Sequence, residues 1–191
     1  MKVGLFDFQE EALADLRMRV SAARGLAAID NPQAISFSAP TGSGKTIMMT
    51  ALLENIFFGD SNFPAKADAV VLWVSDMPEL NEQTRLKIEG KSDRIRTRQL
   101  VSITSTFDAE CLEGGHIYFV NTQKLGEDKL LTNRGDGRHY TIWETLSNTA
   151  GAARDRFYMV IDEAHRGMRG GRGEERARTI MQRFLKGEPG A

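Results

Sequence analysis

The eight residues Ala39, Pro40, Thr41, Gly42, Ser43, Gly44, Lys45 and Thr46 constrain this chain more than any other stretch. Before them, Ala34 to Ala39 is a run of mostly small or apolar residues that reads as a short strand, and after them Lys45 to Phe58 reads as a helix. A strand that turns through two closely spaced glycines straight into a helix aims backbone N–H groups and the positive helix end at one point, which suits an anion. Gly42 and Gly44 let the backbone wrap closely there. The string fits the Walker A phosphate-loop pattern, with Ala39 in place of the usual first glycine. In such a loop Thr41, Gly42, Ser43 and Gly44 line the phosphates of ATP, Lys45 reaches the β and γ phosphates, and the Thr46 hydroxyl holds Mg²⁺.

The rest of the chain alternates between strand-like and helix-like segments. Asp7 followed by Glu10 has the look of a helix-starting capping arrangement, and Leu13, Leu16, Val20, Ala23 and Ala27 continue at a helical period. Ala69 to Val74 is unbrokenly apolar, as a parallel strand covered on both faces would be. Pro78 opens a helix to about Glu89, Val101 to Ser105, Ile117 to Asn121 and Phe157 to Asp162 are further strands, and helical patches lie near Tyr140 to Thr149 and Glu174 to Lys186. The segments 133–138 and 166–173 read as loops. This alternation predicts an α/β fold: a mainly parallel sheet with helices on both faces, in one domain of 191 residues.

Asp162 and Glu163 close the last strand, where the Mg²⁺-binding acid of a phosphate-loop protein belongs. Asp162 is expected to hold the cation mostly through water, because small hard Mg²⁺ keeps part of its hydration shell. Glu163 beside it is placed to deprotonate an attacking water, which favours hydrolysis over transfer to a second substrate.

Ala39 to Thr46 as APTGSGKT and Asp162 to His165 as DEAH resemble motifs I and II of superfamily 2 helicases and translocases, in which alanine at the first loop position is common. The resemblance implies a RecA-like three-layer ATPase domain, the first of two, in which His165 links the nucleotide state to the partner domain. Gln9 is similar to the upstream glutamine that reads the adenine edge. The stretch Val74 to Thr84 resembles motif Ia and Phe119 to Leu125 motif Ib, which implies nucleic-acid backbone contacts from Pro78, Gln83, Asn121, Gln123 and Lys124. The Asn-Thr-Gln-Lys-Leu string and the Asp-Glu-Ala-His-Arg continuation are most similar to the Res subunit of type III restriction enzymes. That implies a motor acting on duplex DNA, with a modification or specificity subunit as a further partner. The second RecA-like domain, its arginine fingers and a nuclease domain are absent from these residues. An arginine finger contributes a factor of roughly a thousand or more in rate, so the expectation is a truncated first domain that binds ATP and turns it over weakly.

Composition limits the alternatives. With 25 basic and 26 acidic side chains the net charge is -1, so any nucleic-acid contact is local. The arginines from Arg154 to Arg183 could neutralise nucleic-acid phosphates, but they are interspersed with Asp155, Glu174 and Glu175, the pattern that better suits a solvated face. A single cysteine, Cys111, excludes an intrachain disulfide and fits a reducing compartment, with the cytoplasm as the default. The early charges Lys2 and Asp7 leave no apolar signal stretch, and the longest apolar run falls far short of the roughly 20 residues that span a bilayer. A nucleotide kinase or a signalling GTPase would call for an acceptor site or an Asn-Lys-x-Asp string, and neither is present. A nucleotide-dependent clamp or truncated relic stays open as an alternative to a motor.

Overall fold

The computed structural model describes residues 1–29, 31–126, 129–135 and 137–162. Helix α1 spans Asp7–Ala27 and α2 Lys45–Phe58; strand β1 is Val70–Ser75, α3 Pro78–Lys91, β2 Leu100–Ser102, β3 His116–Asn121, α4 Ile142–Ala152 and β4 Phe157–Ile161. The four strands form one sheet in the order β2-β3-β1-β4, and every pairing is parallel. Parallel neighbours need crossover connections, and α3 and α4 lie on two of them.

Side-chain alternation divides the core into two layers. Val71, Trp73, Ile117 and Phe119 face one side, where Leu13, Leu16 and Val20 of α1, Leu53 and Ile56 of α2 and Ile88 of α3 cover them. Val70, Leu72, Val74, Tyr118 and Val120 face the other, against Ile142 and Leu146 of α4 and Ile103 and Leu112 of the connections. Burial on both faces explains why β1 is apolar from Val70 to Val74, since neither set of alternate residues meets water. Truncating a residue such as Leu72, which is fully buried, costs about 2–5 kcal/mol in a core of this kind. The fold is the α/β architecture that the alternation predicts, with helices on both faces of a parallel sheet.

Several local expectations need correction. Residues 34–39 are not a strand: they run outside the sheet, largely exposed, with Phe37 packed against the core. Strands exist by pairing. β1 is flanked by β3 and β4, the outer side of β4 pairs with nothing among the described residues, and Ala34, Ser36, Ser38 and Ala39 offer little apolar area. At the start of α1 the cap is Phe6, whose backbone N–H donates to Oε1 of Gln9 at 3.0 Å. Asp7 and Glu10 instead sit inside the first turn, near the positive helix end. Strand β2 stops at Ser102, because Thr104 to Phe107 turns, with the Phe107 N–H donating to the Thr104 carbonyl. The segment around Asn133 is a loop as expected, and it is tied down: Arg134 pairs with Glu144, and Arg138 donates to the carbonyls of Ser105 and Phe107. The helix expected over Glu174 to Lys186 and the arginine-rich segment before it lie outside the described residues.

Candidate functional site

Because the sheet is parallel, all four strands end on one edge, and the turns that follow them gather there. Ser75 of β1 pairs with Asn121 of β3, Val74 pairs with Ile161 of β4, and the N–H of Asp162 donates to the Val74 carbonyl at 2.9 Å. The end of β1, the Asn121 turn and Asp162 are therefore at one level of the sheet. Glu163 and His165 lie outside the described residues.

The glycine loop is closed by a bond from Ser43 N–H to the Pro40 carbonyl (3.2 Å) and passes directly into α2, whose N-cap is Gly44. Gly42 has φ 84° and Gly44 φ 87°, left-handed values that a residue with a side chain rarely adopts. The helix then starts with the N–H groups of Ile47 and Met48 both donating to the Gly44 carbonyl. Lys45 folds back over the loop, and its ammonium donates to the carbonyls of Ala39 (2.8 Å) and Pro40 (3.3 Å). Thr50 Oγ1 donates to the Thr46 carbonyl at 2.7 Å, one turn along α2. Among the described residues the buried Ser43 hydroxyl has no hydrogen-bond partner.

Gln9 joins the loop to the first helix. Its side-chain amide is buried; Oε1 accepts from Phe6 N–H and Nε2 donates to the Ser43 carbonyl at 2.8 Å. A Cβ on Gly44 would lie 2.5 Å from that Nε2, so the absence of a side chain at Gly44 is what lets the glutamine reach across. Beside it, Phe6 and Phe8 stack at 6.1 Å with an 8° interplanar angle, both exposed.

The two strand-end turns divide into buried and exposed members. In α3, Asn81, Thr84 and Ile88 face inward at helical spacing, while Pro78 and Gln83 face solvent. Ser75 Oγ donates to the Met77 carbonyl, and Asp76 Oδ1 and Asn81 Oδ1 are buried without partners among the described residues. Sequence reasoning overlooked these two acceptors, although the three-residue period from Asn81 through Thr84 marks the inward face. After β3, Asn121 is buried and caps a short 3-10 turn, accepting from Lys124 N–H at 3.2 Å, and the Lys124 ammonium donates to the Ile103 carbonyl at 2.8 Å. Gln123 alone of that trio is exposed with no side-chain bond among the described residues.

The donor chemistry of the candidate residues suits a hard cation: a hydroxyl at Thr46, at the start of α2, and a carboxylate at Asp162, at the end of β4, are oxygen ligands of the type Mg²⁺ takes together with phosphate oxygens. No group of three or more His, Cys, Asp or Glu residues that would make an all-protein metal cage occurs among the described residues. Nor is any helix among them long and apolar enough to cross a membrane.

No curated protein and no solved structure matches the chain. A family model described as type III restriction enzyme, res subunit, matches residues 2–186. That match runs through the glycine loop, the strand-end turns and the Asp162 strand end alike, and on it the chain belongs to the type III restriction enzyme res subunit family, a family of helicase-like ATPase motor domains.

Proposed function

We propose that this domain binds ATP with Mg²⁺ at the glycine loop and acts as the first RecA-like half of a motor that hydrolyses ATP to move on duplex DNA. The observation that carries the reading is the pair of left-handed glycines delivering Lys45 onto the N-terminus of α2, on a sheet whose β4 ends at Asp162. On this reading Lys45 leaves the Ala39 and Pro40 carbonyls for the β and γ phosphates, and the loop N–H groups from Thr41 to Gly44 enclose them. Thr46 and Asp162 hold Mg²⁺, which when bound offsets charge on the transferring phosphate. Glu163 takes the proton of the attacking water, His165 reports the nucleotide state, and Gln9 turns its remaining N–H toward the base. Pro78, Gln83 and Gln123 contact backbone phosphates directly, whereas Asn121 and Lys124 act by shaping the turn that presents Gln123. The cytoplasm, and a modification or specificity subunit as partner, complete the proposal.

The test is titration of a fluorescent ATP analogue with Mg²⁺ against wild type and Lys45→Ala. The proposal expects saturable binding by wild type and a loss of at least tenfold in the variant. Equal affinities in the two proteins would remove the phosphate-loop reading.

A further inference from the structure

The opposite edge of the sheet, where the strands begin, carries a groove of about 510 Å³ lined by Arg94, Arg96, Arg98 and His116 and floored in part by Phe58. We infer that this groove is a second binding surface for the phosphodiester backbone of duplex nucleic acid. It is separate from the strand-end turns and adds to the nucleic-acid part of the proposed function.

Its construction is specific. Buried Ile95 anchors the segment between α3 and β2, so that Arg94 and Arg96 point outward on either side of it. Gln99 braces the segment twice, accepting from Arg96 N–H at 3.0 Å and donating to the Gly115 carbonyl at 2.9 Å. The Arg94 guanidinium lies over the Phe58 ring, 4.5 Å from its centroid, which orients it without using its N–H donors. His116 Nδ1 is engaged with the Gly114 carbonyl, leaving Nε2 for the groove.

The charge is uncompensated. No Asp or Glu lines the groove, and none of the three arginines has an ion-pair partner among the described residues. The acids nearest in sequence to the three arginines are engaged elsewhere, Glu89 with Arg85 and Thr97, and Asp93 with the N-terminal ammonium. Three unpaired guanidiniums on a chain of net charge -1 are a local anion site. An acidic protein partner fits less well. Protein interfaces centre on apolar and aromatic residues, and here the Phe58 ring is covered by Arg94. Nucleic-acid interfaces are polar and positively charged throughout.

Position favours a duplex as well. The groove sits at the start of β2 and the Lys124–Ile103 contact just past its end, and β2 is an edge strand. Arg98 lies in the 3-10 turn Thr97–Gln99 and Ile103 just past β2, about 14 Å apart at 3-10 and strand rise, which spans about four phosphates of one DNA strand. One duplex laid along β2 reaches both the groove and the turn that presents Gln123.

The experiment measures binding of a fluorescently labelled 20-base-pair duplex by anisotropy at salt concentrations from 50 to 200 mM. It compares wild type, the triple variant Arg94→Gln/Arg96→Gln/Arg98→Gln, the corresponding triple Lys variant and Gln123→Ala, with labelled poly-glutamate as a second probe and the ATP analogue as a control for folding. Loss of three phosphate contacts lowers the salt slope by about 2.7, so that wild type loses about 40-fold more affinity than the Gln variant across that range. The Lys variant retains the wild-type slope. An unchanged slope in the Gln variant overturns the inference, as does a Gln variant that keeps the duplex but loses poly-glutamate, which would mark a protein site. Wild type failing to bind duplex at all would overturn both this inference and the nucleic-acid part of the proposed function, whereas loss confined to Gln123→Ala leaves the proposed function standing and overturns the groove alone.

Discussion

Gly44→Ala is the substitution whose effect is most fully determined by the geometry. Two penalties combine. At φ 87° any L side chain is strained, by about 1–2 kcal/mol. In addition, the new methyl would lie 2.5 Å from Gln9 Nε2 and push that amide off the Ser43 carbonyl. A lost hydrogen bond with a buried donor left over costs about 1–2 kcal/mol. Together these predict destabilisation of about 2–4 kcal/mol, and at roughly 2–4 °C per kcal/mol for a domain this size the melting temperature falls by about 4–16 °C. Gln9→Ala removes the amide that would be struck. In that background Gly44→Ala should cost only the backbone part, giving a coupling of about 1–2 kcal/mol in a double-mutant cycle. Thermal or urea unfolding of the four proteins measures it. Additivity within about 0.5 kcal/mol would refute the claim that Gln9 occupies the space above Gly44.

Two other predictions concern the scaffold. Glu54 is buried in α2 and accepts from the Ser92 hydroxyl (2.5 Å), the Asp93 N–H (3.1 Å) and the N-terminal ammonium (2.9 Å). Glu54→Ala strands the Ser92 hydroxyl and the Asp93 N–H, leaves the ammonium to Asp93 alone, and should cost about 3 kcal/mol, read as a drop in urea midpoint at unchanged slope; a loss below about 1 kcal/mol would mean that water replaces the carboxylate. Asp108 accepts from the backbone N–H groups of His139 and Tyr140, which hold its pKa down to about 2. Because the folded value lies below the ordinary 3.8, the stability Asp108 contributes is present above that value and lost as pH falls toward about 2. The melting-temperature difference between wild type and Asp108→Ala should therefore shrink across that window, and a difference undiminished at pH 2 would contradict the assignment.

Which features the sequence disclosed follows from how local their causes are. The helix Lys45–Phe58 begins and ends where expected because Gly44 and Gly59 flank it, and β1 is evident because burial on both faces leaves no polar residue among its first five. The segment 34–39 misled because pairing is a property of the neighbours, and Ala-Ile-Ser-Phe-Ser-Ala has strand-like content without one. The start of α1 misled by a single step: Asp7 and Glu10 suit a cap and its third residue, but the side chain that satisfies the cap N–H belongs to Gln9, which the glycine loop also claims. The basic groove was illegible for another reason. Arg94, Arg96 and Arg98 are visible as a cluster, but Phe58 and His116 join them only through the fold.

The Lys45 ammonium has an acceptor of its own before any ligand arrives, and this makes the loop a competitor rather than a simple receptor. The Ala39 and Pro40 carbonyls are tethered to the lysine by a few residues, so they act at a high effective concentration. A ligand offering a single weakly basic oxygen has to displace them at parity and gains little from doing so. One offering several phosphate oxygens, to the loop N–H groups and the lysine at once, displaces them with a net gain. On the nucleotide reading the loop is thus a filter on chain length: inorganic phosphate or sulfate in the buffer should barely compete with a triphosphate, and pyrophosphate should fall between them.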